Sequence, residues 1–269
     1  MQMTVVTNIP LLESTLTFIF VYMSIFFFLV LPFLSLVGTF FLVQYNINTK
    51  ILVLFNVFTM FFLFIISLIL FFTFSFFDVK FFFYVTLGEW MTIGDLKLQW
   101  NFCFDYITII MLFVVTTVSF LVHLYSLEYM SGDPNHLKFM QYLTLFTLSM
   151  YILVTGNNFI QLFIGWEGVG ICSFLLINFW DTRILANTSA MKAIIVNRVG
   201  DFGLMFSFIL LYNQFGSFDY GFIFSFINIV SSEFYANLMD WIVFFLFVGA
   251  VGKSAQVFLH VWLPDAMEG

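Results

Sequence analysis

Charged residues are scarce in this sequence. Only 9% of its 269 residues are Asp, Glu, Lys or Arg, while 62% are hydrophobic. Because a soluble domain carries charge on roughly a quarter of its residues, this composition excludes a soluble globular protein and indicates a surface covered by lipid. The 8 basic residues are also too few for the positive patch that binds nucleic acid. We therefore expect contacts with lipids and none with nucleic acid.

Residues that bind metals or redox groups are equally scarce. The two cysteines, Cys103 and Cys172, lie far apart and form no C-x-x-C motif, so they do not indicate a zinc or iron–sulfur site. His123 and His260 are the only histidines in the predicted membrane segments, and they form no pattern typical of haem ligation. We expect no cofactor, no metal and no redox-catalytic residue in this chain.

Basic residues are absent from the first 49 positions. Secretory and transit leaders need basic residues near the start, so we expect neither kind of leader, and insertion through the chain's own spans. Phe is in contrast very frequent, at 44 residues. Since other apolar residues would serve equally well in lipid, we interpret this excess as the nucleotide bias of an AT-rich, organellar genome.

Long apolar segments predict an all-α integral membrane protein, a polytopic bundle of about seven spanning helices. A span needs about 20 mostly apolar residues, and Pro32 should kink the first one. The segment at 220–230 is too short and is typical of an interfacial or re-entrant helix. The predicted spans are 15–43, 51–77, 104–127, 137–156, 158–180, 192–213 and 239–262.

Residues 78–103 differ from the rest of the chain. They contain Gly88, Gly94 and an alternating run from Leu96 to Trp100, a pattern that predicts a small extramembrane β-hairpin. We find no composition change that would divide the chain, so we expect a single transmembrane domain over residues 1–269.

The first candidate site residue is Glu167, near the middle of the fifth span. Ionisable groups inside spans are costly, so each one suggests a function. Gly165, Gly168 and Gly170 surround the carboxylate, and small residues let another helix or water approach closely. The alternative is a structural carboxyl group hydrogen-bonded to a neighbouring helix.

Lys253 is the second candidate, about two-thirds of the way along the seventh span. Its small neighbours predict that it faces the bundle interior, whereas a lysine near a span end would simply extend to the interface. Gly252-Lys253-Ser254 is not a phosphate-binding loop, because that motif requires a glycine where this chain has Phe247.

Three further residues could extend a proton path. His260 follows Lys253 by two helical turns, which predicts nearly the same helix face, and imidazole exchanges protons at physiological pH. Arg198 and Asp201 lie three residues apart near the start of the sixth span, so they could form a local ion pair or a gate. In contrast, we interpret His123 and Glu128, at the end of the third span, as structural anchors.

An acid on the fifth span and a base on the seventh could act as a proton switch. At about 4 Å and an effective dielectric near 20, opposite charges attract by roughly 4 kcal/mol. Separating Glu167 from Lys253 would weaken the hold of the lysine on its proton, which could then pass towards His260. Arg198 or Asp201 could drive the change by attracting or repelling Glu167.

Four motifs closely resemble those of the antiporter-like, proton-pumping membrane subunits of mitochondrial NADH:ubiquinone oxidoreductase (complex I), specifically the subunit 5 family. The resemblance extends from about residue 85 to the end of the chain and suggests the N-terminal half only. The motifs are Gly165–Gly170, Asn197–Gly203, Gly252–Gln256 and His260–Gly269.

This resemblance implies half of an inverted-repeat transporter fold in the mitochondrial inner membrane. It also implies that Glu167 and Lys253 form the key proton-path pair, with His260, Arg198 and Asp201 beside them and other membrane-arm subunits as partners. Because family members continue beyond the Met-Glu-Gly at 267–269, we expect either a second chain to complete the subunit or only part of the subunit here.

Two other functions stay open. Subunits of multi-subunit sodium/proton antiporters resemble the same family, and co-purification with NADH dehydrogenase activity would distinguish the two. A membrane scaffold that does not pump would have no need for Glu167 and Lys253 in the middle of spans.

Overall fold

The structure is a computed structural model that describes most of the chain. Residues 1–10, which include the start of the region without basic residues, lie outside the described part. Described are residues 11–45, 48–76, 83–94, 96–229 and 233–268.

Long helices dominate the described residues, and six of them are long and apolar enough to cross a membrane. This agrees with the predicted polytopic helical class, since only helices and closed barrels satisfy their backbone hydrogen bonds in lipid. The helices are α1 Leu11–Gln44, α2 Thr49–Phe76, α3 Tyr106–Tyr129, α4 His136–Thr155, α5 Phe159–Ile177, α6 Ile184–Phe215, α7 Tyr220–Ile229 and α8 Glu233–Lys253.

The helix α2 shows why these segments suit lipid rather than water. Its outward residues are large and apolar, for example Leu54 and Phe58, which are 57% and 65% exposed. Its buried side instead carries polar residues, including Asn56 and Ser67, at 0% and 1% exposure. This arrangement is the reverse of a water-soluble amphipathic helix, and it fits a multi-pass membrane protein.

Residues 83–104 form the predicted hairpin. Its strands, β1 Phe83–Ile93 and β2 Leu96–Phe104, pair in a two-stranded sheet. Gly94 lies in the connection with a φ of 59°, in the left-handed region that glycine adopts readily. The hairpin is confirmed, although residues 78–82 of the predicted segment lie outside the described part.

The described residues group into two compact units. Unit 1 contains α1 to α4 and the central part of α5, and unit 2 contains the remainder of α5 and the helices that follow. Whether the chain forms the single domain expected from its sequence stays a prediction. Unit 1 is Met1–Thr86, Phe102–Gly156 and Ile164–Cys172; unit 2 is Leu87–Asn101, Asn157–Phe163 and Ser173–Gly269.

In unit 1, α2, α3 and α4 all pack against one another, and α1 packs against α2 and α4. Side-chain hydrogen bonds cross these contacts, such as the 2.6 Å bond between the hydroxyl oxygens of Ser67 and Thr116. Tyr151, fully buried on α4, meets the ring of Phe28 edge-on at 5.5 Å. Polar and aromatic contacts therefore both hold the bundle together.

In unit 2, α6 packs along α8 and against two short 3₁₀ helices, His260–Trp262 and Asp265–Glu268. Lys192 on α6 and Asp265 form an ion pair at 2.5 Å. Since both side chains are well exposed, this pair adds little to stability. The α6–α8 contact is the main packing element of the unit.

Two predicted spans differ from the helices observed. The sixth helix begins at Ile184 instead of 192, and the whole of Ile184–Phe215 is apolar enough to count as a candidate span. The seventh predicted span runs to 262, but α8 ends at Lys253. The helix α7 has only 10 residues, or about 15 Å, so the prediction that it is too short to span is confirmed.

Candidate functional site

Glu167 lies on α5, in the part that belongs to unit 1, and its side chain is half-buried. At the start of this helix, the Asn158 side-chain oxygen accepts a 2.7 Å hydrogen bond from the backbone N–H of Gln161. Such an N-cap satisfies one of the free backbone donors at a helix start. The N-cap and the continuous helix hold the backbone at Glu167 in a regular helical conformation.

Glycines beside Glu167 allow α4 to approach α5 closely. A Cβ atom on Gly165 would lie 2.5 Å from the backbone nitrogen of Leu153, and one on Gly168 would lie 2.8 Å from the Ser149 hydroxyl oxygen. Neither position leaves room for a side chain. The prediction that these glycines admit a neighbouring helix is therefore confirmed for Gly165 and Gly168.

Lys253 is the last residue of α8 in unit 2, and its side chain is also half-buried. The prediction that it lies within a continuing helix is wrong. Behind it, the Ser254 N–H donates to the Ala250 carbonyl at 3.0 Å, and the indole Nε1 of Trp262 donates to the Gly252 carbonyl at 3.1 Å. The ammonium group thus stands at the negative end of a helix dipole, which favours a positive charge.

A glycine contact between α6 and α8 fixes the position of this helix end. A Cβ on Gly252 would lie 3.0 Å from the Gly200 Cα, and one on Gly203 would lie 3.0 Å from the Phe245 carbonyl oxygen. The two backbones therefore touch, as in small-residue contacts between membrane helices. Lys253 directly follows Gly252, and Asp201 directly follows Gly200.

His260 lies outside α8, in the first 3₁₀ helix, with an exposed side chain. The prediction that it shares a helix face with Lys253 is wrong. Between them the backbone leaves the helical path at Ala255 and Phe258, whose φ values are 50° and 77°. The part of His260 in proton transfer stays a prediction.

Arg198 and Asp201 lie near the middle of α6, not near its start as predicted. Asp201 is 4% exposed on the side of the helix that packs, whereas Arg198 is exposed. A carboxylate buried in this way needs hydrogen bonds or an opposite charge. Whether the two residues act as a gate stays a prediction.

Sequence reasoning missed a group of buried amides in unit 2, which joins β2 to the start of α5. The Gln161 side-chain oxygen accepts from the Asn101 backbone N–H at 3.2 Å, and the Asn158 side-chain nitrogen donates to the Gln99 carbonyl at 2.9 Å. The Asn157 N–H also donates to the Asn101 carbonyl. The signal was present as consecutive asparagines before an apolar helix, a pattern typical of an N-cap.

His123 is buried among the helices of unit 1, and its role as an anchor stays a prediction. Its ring is 1% exposed within α3, and Nδ1 lies 2.8 Å from the Ser119 carbonyl oxygen. Glu128, nearer the helix end, is exposed. The two residues predicted as a pair of anchors therefore occupy different environments.

Burial also changes the acidity of carboxyl groups in the connecting segments. It raises the pKa of Asp219, just before α7, and the pKa of Asp105, just before α3. The Cys103 thiol donates to Asp105 Oδ1 at 3.0 Å, which offsets part of the rise at Asp105. Both groups favour the protonated form more than an exposed carboxyl group does.

No three metal-binding side chains come together within the described ranges. Of the predicted site residues, Glu167 belongs to unit 1, and Arg198, Asp201, Lys253 and His260 belong to unit 2. In unit 2, the glycine contact brings the backbone positions of Asp201 and Lys253 near each other. A charged residue beside glycine contacts is thus a feature of both units.

Two family models match the sequence. Residues 156–269 match one described as "NADH:quinone oxidoreductase/Mrp antiporter, TM", and residues 90–140 match one described as "NADH-Ubiquinone oxidoreductase (complex I), chain 5 N-terminus". Together they cover every predicted site residue.

Curated proteins named NADH-ubiquinone oxidoreductase chain 5 are similar to the same region. That of Acanthamoeba castellanii is 58% identical over 193 residues, and that of Chondrus crispus is 52% identical over 191 residues. The match with the Arabidopsis thaliana protein is 49% over 191 residues. In each case the alignment covers 69% of this chain but 29% of the relative.

A solved structure shares the fold. A chain of the membrane-bound sulfane sulfur reductase, an archaeal respiratory membrane complex, matches with a TM-score of 0.69 over 91% of this chain and 47% of that chain. The sequences are 18% identical, so this likeness shows the fold alone.

Proposed function

We propose, since the chain belongs to the antiporter-like family of NADH:quinone oxidoreductase and Mrp antiporter membrane subunits and matches its chain 5 proteins, that it takes part in proton translocation. It would act as the N-terminal part of a complex I membrane subunit in the mitochondrial inner membrane. Its partners would be other membrane-arm subunits, and the redox chemistry would take place outside this chain.

The observation that carries the proposal is the pair of ionisable residues beside glycine contacts. Glu167 is half-buried next to the α4–α5 contact, and Lys253 is half-buried at the α6–α8 contact. Packing alone gives no reason to keep a carboxylate or an ammonium group inside apolar helices, where each is costly. Proton transfer does require such groups.

In the proposed mechanism, the Glu167 carboxylate stabilises the protonated form of Lys253. An increase in their separation weakens this attraction, and Lys253 releases its proton to an acceptor. Opposite charges interact by roughly 4 kcal/mol at about 4 Å and an effective dielectric near 20, which corresponds to about a thousandfold change in proton affinity. At the same dielectric, a separation of about 8 Å halves the attraction to roughly 2 kcal/mol, so a shift of a few ångströms lowers the proton affinity of Lys253 by roughly thirtyfold.

His260, Arg198 and Asp201 have supporting parts in this mechanism. Asp201, buried at the α6–α8 contact, would hold Lys253 when Glu167 withdraws. Arg198 would attract Glu167 and so start the separation. His260, after the break in α8, would exchange the proton with water, which fits its exposed ring.

Proton pumping by the assembled complex after Glu167→Gln tests the proposal. The neutral amide keeps the shape but not the charge, so we expect the number of protons moved per electron transferred to fall by the share that this chain contributes. Glu128→Gln, on the exposed end of α3, is the matched control and should leave this ratio unchanged. An unchanged ratio in Glu167→Gln, in complexes that contain the chain at normal levels, would refute the proposed role.

A second function has a specific observation in its favour, because the model matching 156–269 includes Mrp antiporters. In that case the same residues would couple proton movement to sodium movement. Proton uptake by vesicles containing the protein would then depend on a sodium gradient and not on NADH oxidation. A scaffold without transport would show neither dependence.

A further inference from the structure

Three buried polar residues of unit 1 lie on helices that the proposed proton path does not use. They are Asn56 on α2, His123 on α3 and Thr144 on α4, and they are 0%, 1% and 0% exposed. We call them the Asn–His–Thr layer. Buried polar groups in a membrane bundle need hydrogen-bond partners, so their contacts show what the layer can bind.

The contacts between the helices set the register of the layer. The sulfur of Met60 on α2 contacts the hydroxyl oxygens of Ser119 on α3 and Thr147 on α4, at 3.7 and 3.9 Å. Asn56 lies one turn before Met60 along its helix.

The same step on the other two helices leads to the remaining members of the layer. The Ser67–Thr116 and Met60–Ser119 contacts show that α2 and α3 are antiparallel, so the level of Asn56 corresponds to His123, one turn after Ser119. On α4 it corresponds to Thr144, one turn before Thr147. His123 and Thr144 do meet, with Nε2 3.5 Å from Oγ1.

The hydrogen bonds at this level leave His123 Nε2 without a good donor. Nδ1 carries a proton, because it lies 2.8 Å from the Ser119 carbonyl oxygen, which can only accept. In the neutral ring Nε2 is therefore an acceptor. The single hydroxyl proton of Thr144 is used in a 2.7 Å bond to the Met140 carbonyl.

The buried side-chain amide of Asn56 also lacks hydrogen bonds. Within the described part of the chain, neither its side-chain nitrogen nor its side-chain oxygen has a hydrogen-bond partner. The layer thus contains one free acceptor on His123 and a free donor and acceptor on Asn56. These are the groups that a water molecule satisfies, because it both donates and accepts and usually makes about three bonds inside proteins.

We propose that the Asn–His–Thr layer is a binding site for one ordered water molecule. This water accepts from Asn56 Nδ2 and donates to Asn56 Oδ1 and to His123 Nε2. It satisfies the acceptor nitrogen of a buried imidazole in unit 1 and gives that ring a partner for proton exchange. The inference does not depend on the roles proposed for Glu167 and Lys253.

Nuclear magnetic resonance of the full chain labelled with ¹⁵N-histidine tests the site. The signal of His123 is assigned by its loss in His123→Gln. In the unsubstituted protein we expect magnetisation transfer from water to His123 Nε2, and a shift typical of a nitrogen that accepts a hydrogen bond. Absence of that transfer, with the ring signal resolved, would overturn the proposal.

Two substitutions on α2 sharpen the test. Asn56→Leu removes the amide, and we expect the water-to-ring transfer to fall at least threefold. Thr59→Val is the matched control, since this buried hydroxyl is already bonded to its own helix at 2.7 Å, and it should leave the signal unchanged. If Asn56→Leu fails to fold, the measurement on the unsubstituted protein decides alone. Density showing the amide bonded directly to the ring would also overturn the proposal.

Discussion

The α4–α5 contact of unit 1 and the α6–α8 contact of unit 2 solve the same packing problem differently. Both use glycines to bring helix backbones together beside a charged residue. Glu167 lies within a continuous, N-capped helix, whereas Lys253 is the last residue before a break. The comparison shows that the acid lies inside a regular helix, while the base lies at a helix end, where the backbone turns away from the helical path.

The largest expected effect concerns the contact in unit 1. Gly165→Ala would put a Cβ 2.5 Å from a backbone atom of Leu153, which cannot move away as a side chain could. Overpacking of this kind costs about 1–3 kcal/mol, and we expect that loss in the free energy of unfolding by detergent titration. Gly38→Ala, on α1 with no atom within 4 Å, is the control. Equal stability of the two variants would show that the α4–α5 contact is loose.

The next effect concerns the break after Lys253. Ala255 has a φ of 50°, and the left-handed conformation costs a residue with a Cβ about 1–2 kcal/mol. We expect Ala255→Gly to raise the free energy of unfolding by about 1 kcal/mol. Ala250→Gly, inside α8, should lower it by about the same amount. A loss of stability in both variants would mean that the break is not as described.

A smaller effect is expected from the indole cap of α8. Trp262→Phe keeps an aromatic ring but removes the 3.1 Å hydrogen bond to the Gly252 carbonyl, which contributes about 1 kcal/mol. Amide hydrogen exchange should become faster around residues 252–256 and stay unchanged in α4. Faster exchange throughout the chain would show that Trp262 supports the whole fold instead of this helix end.

The smallest effect concerns Asp219, outside both contacts. Burial raises its pKa, so the folded state holds the proton more tightly than the unfolded state, and ionisation destabilises the fold as the pH rises. Asp219→Asn should therefore increase the melting temperature at neutral pH. The gain should shrink as the pH falls through the carboxyl range. A gain that is independent of pH would contradict this cause.

The sequence predicted the membrane class, the hairpin and the glycine contact beside Glu167, because hydropathy and small residues are local signals. It did not predict where α8 ends. Residues 254–262 are as apolar as a helix requires, and the break depends on backbone conformations at Ala255 and Phe258 and on a hydrogen bond from Trp262, ten residues away from Gly252. Such contacts are not visible in a hydropathy pattern.

The environment of His123 shows a second limit. Its position near the end of an apolar segment suggested an anchor, but the sequence did not indicate that the ring packs towards α4. Which side of a fully apolar helix is buried depends on its neighbours, and sequence periodicity is weak there. The buried amides around Gln161 were missed for a different reason, because the N-cap signal of the consecutive asparagines before α5 was not used.

The most direct test of the central claim is a double-variant cycle on proton translocation by the assembled complex, with Glu167→Gln, Lys253→Met and both together. If the acid and the base act as one unit, the double variant should lose no more proton translocation than the single variant with the larger loss. Independent losses that multiply in the double variant would contradict a switch formed by this pair.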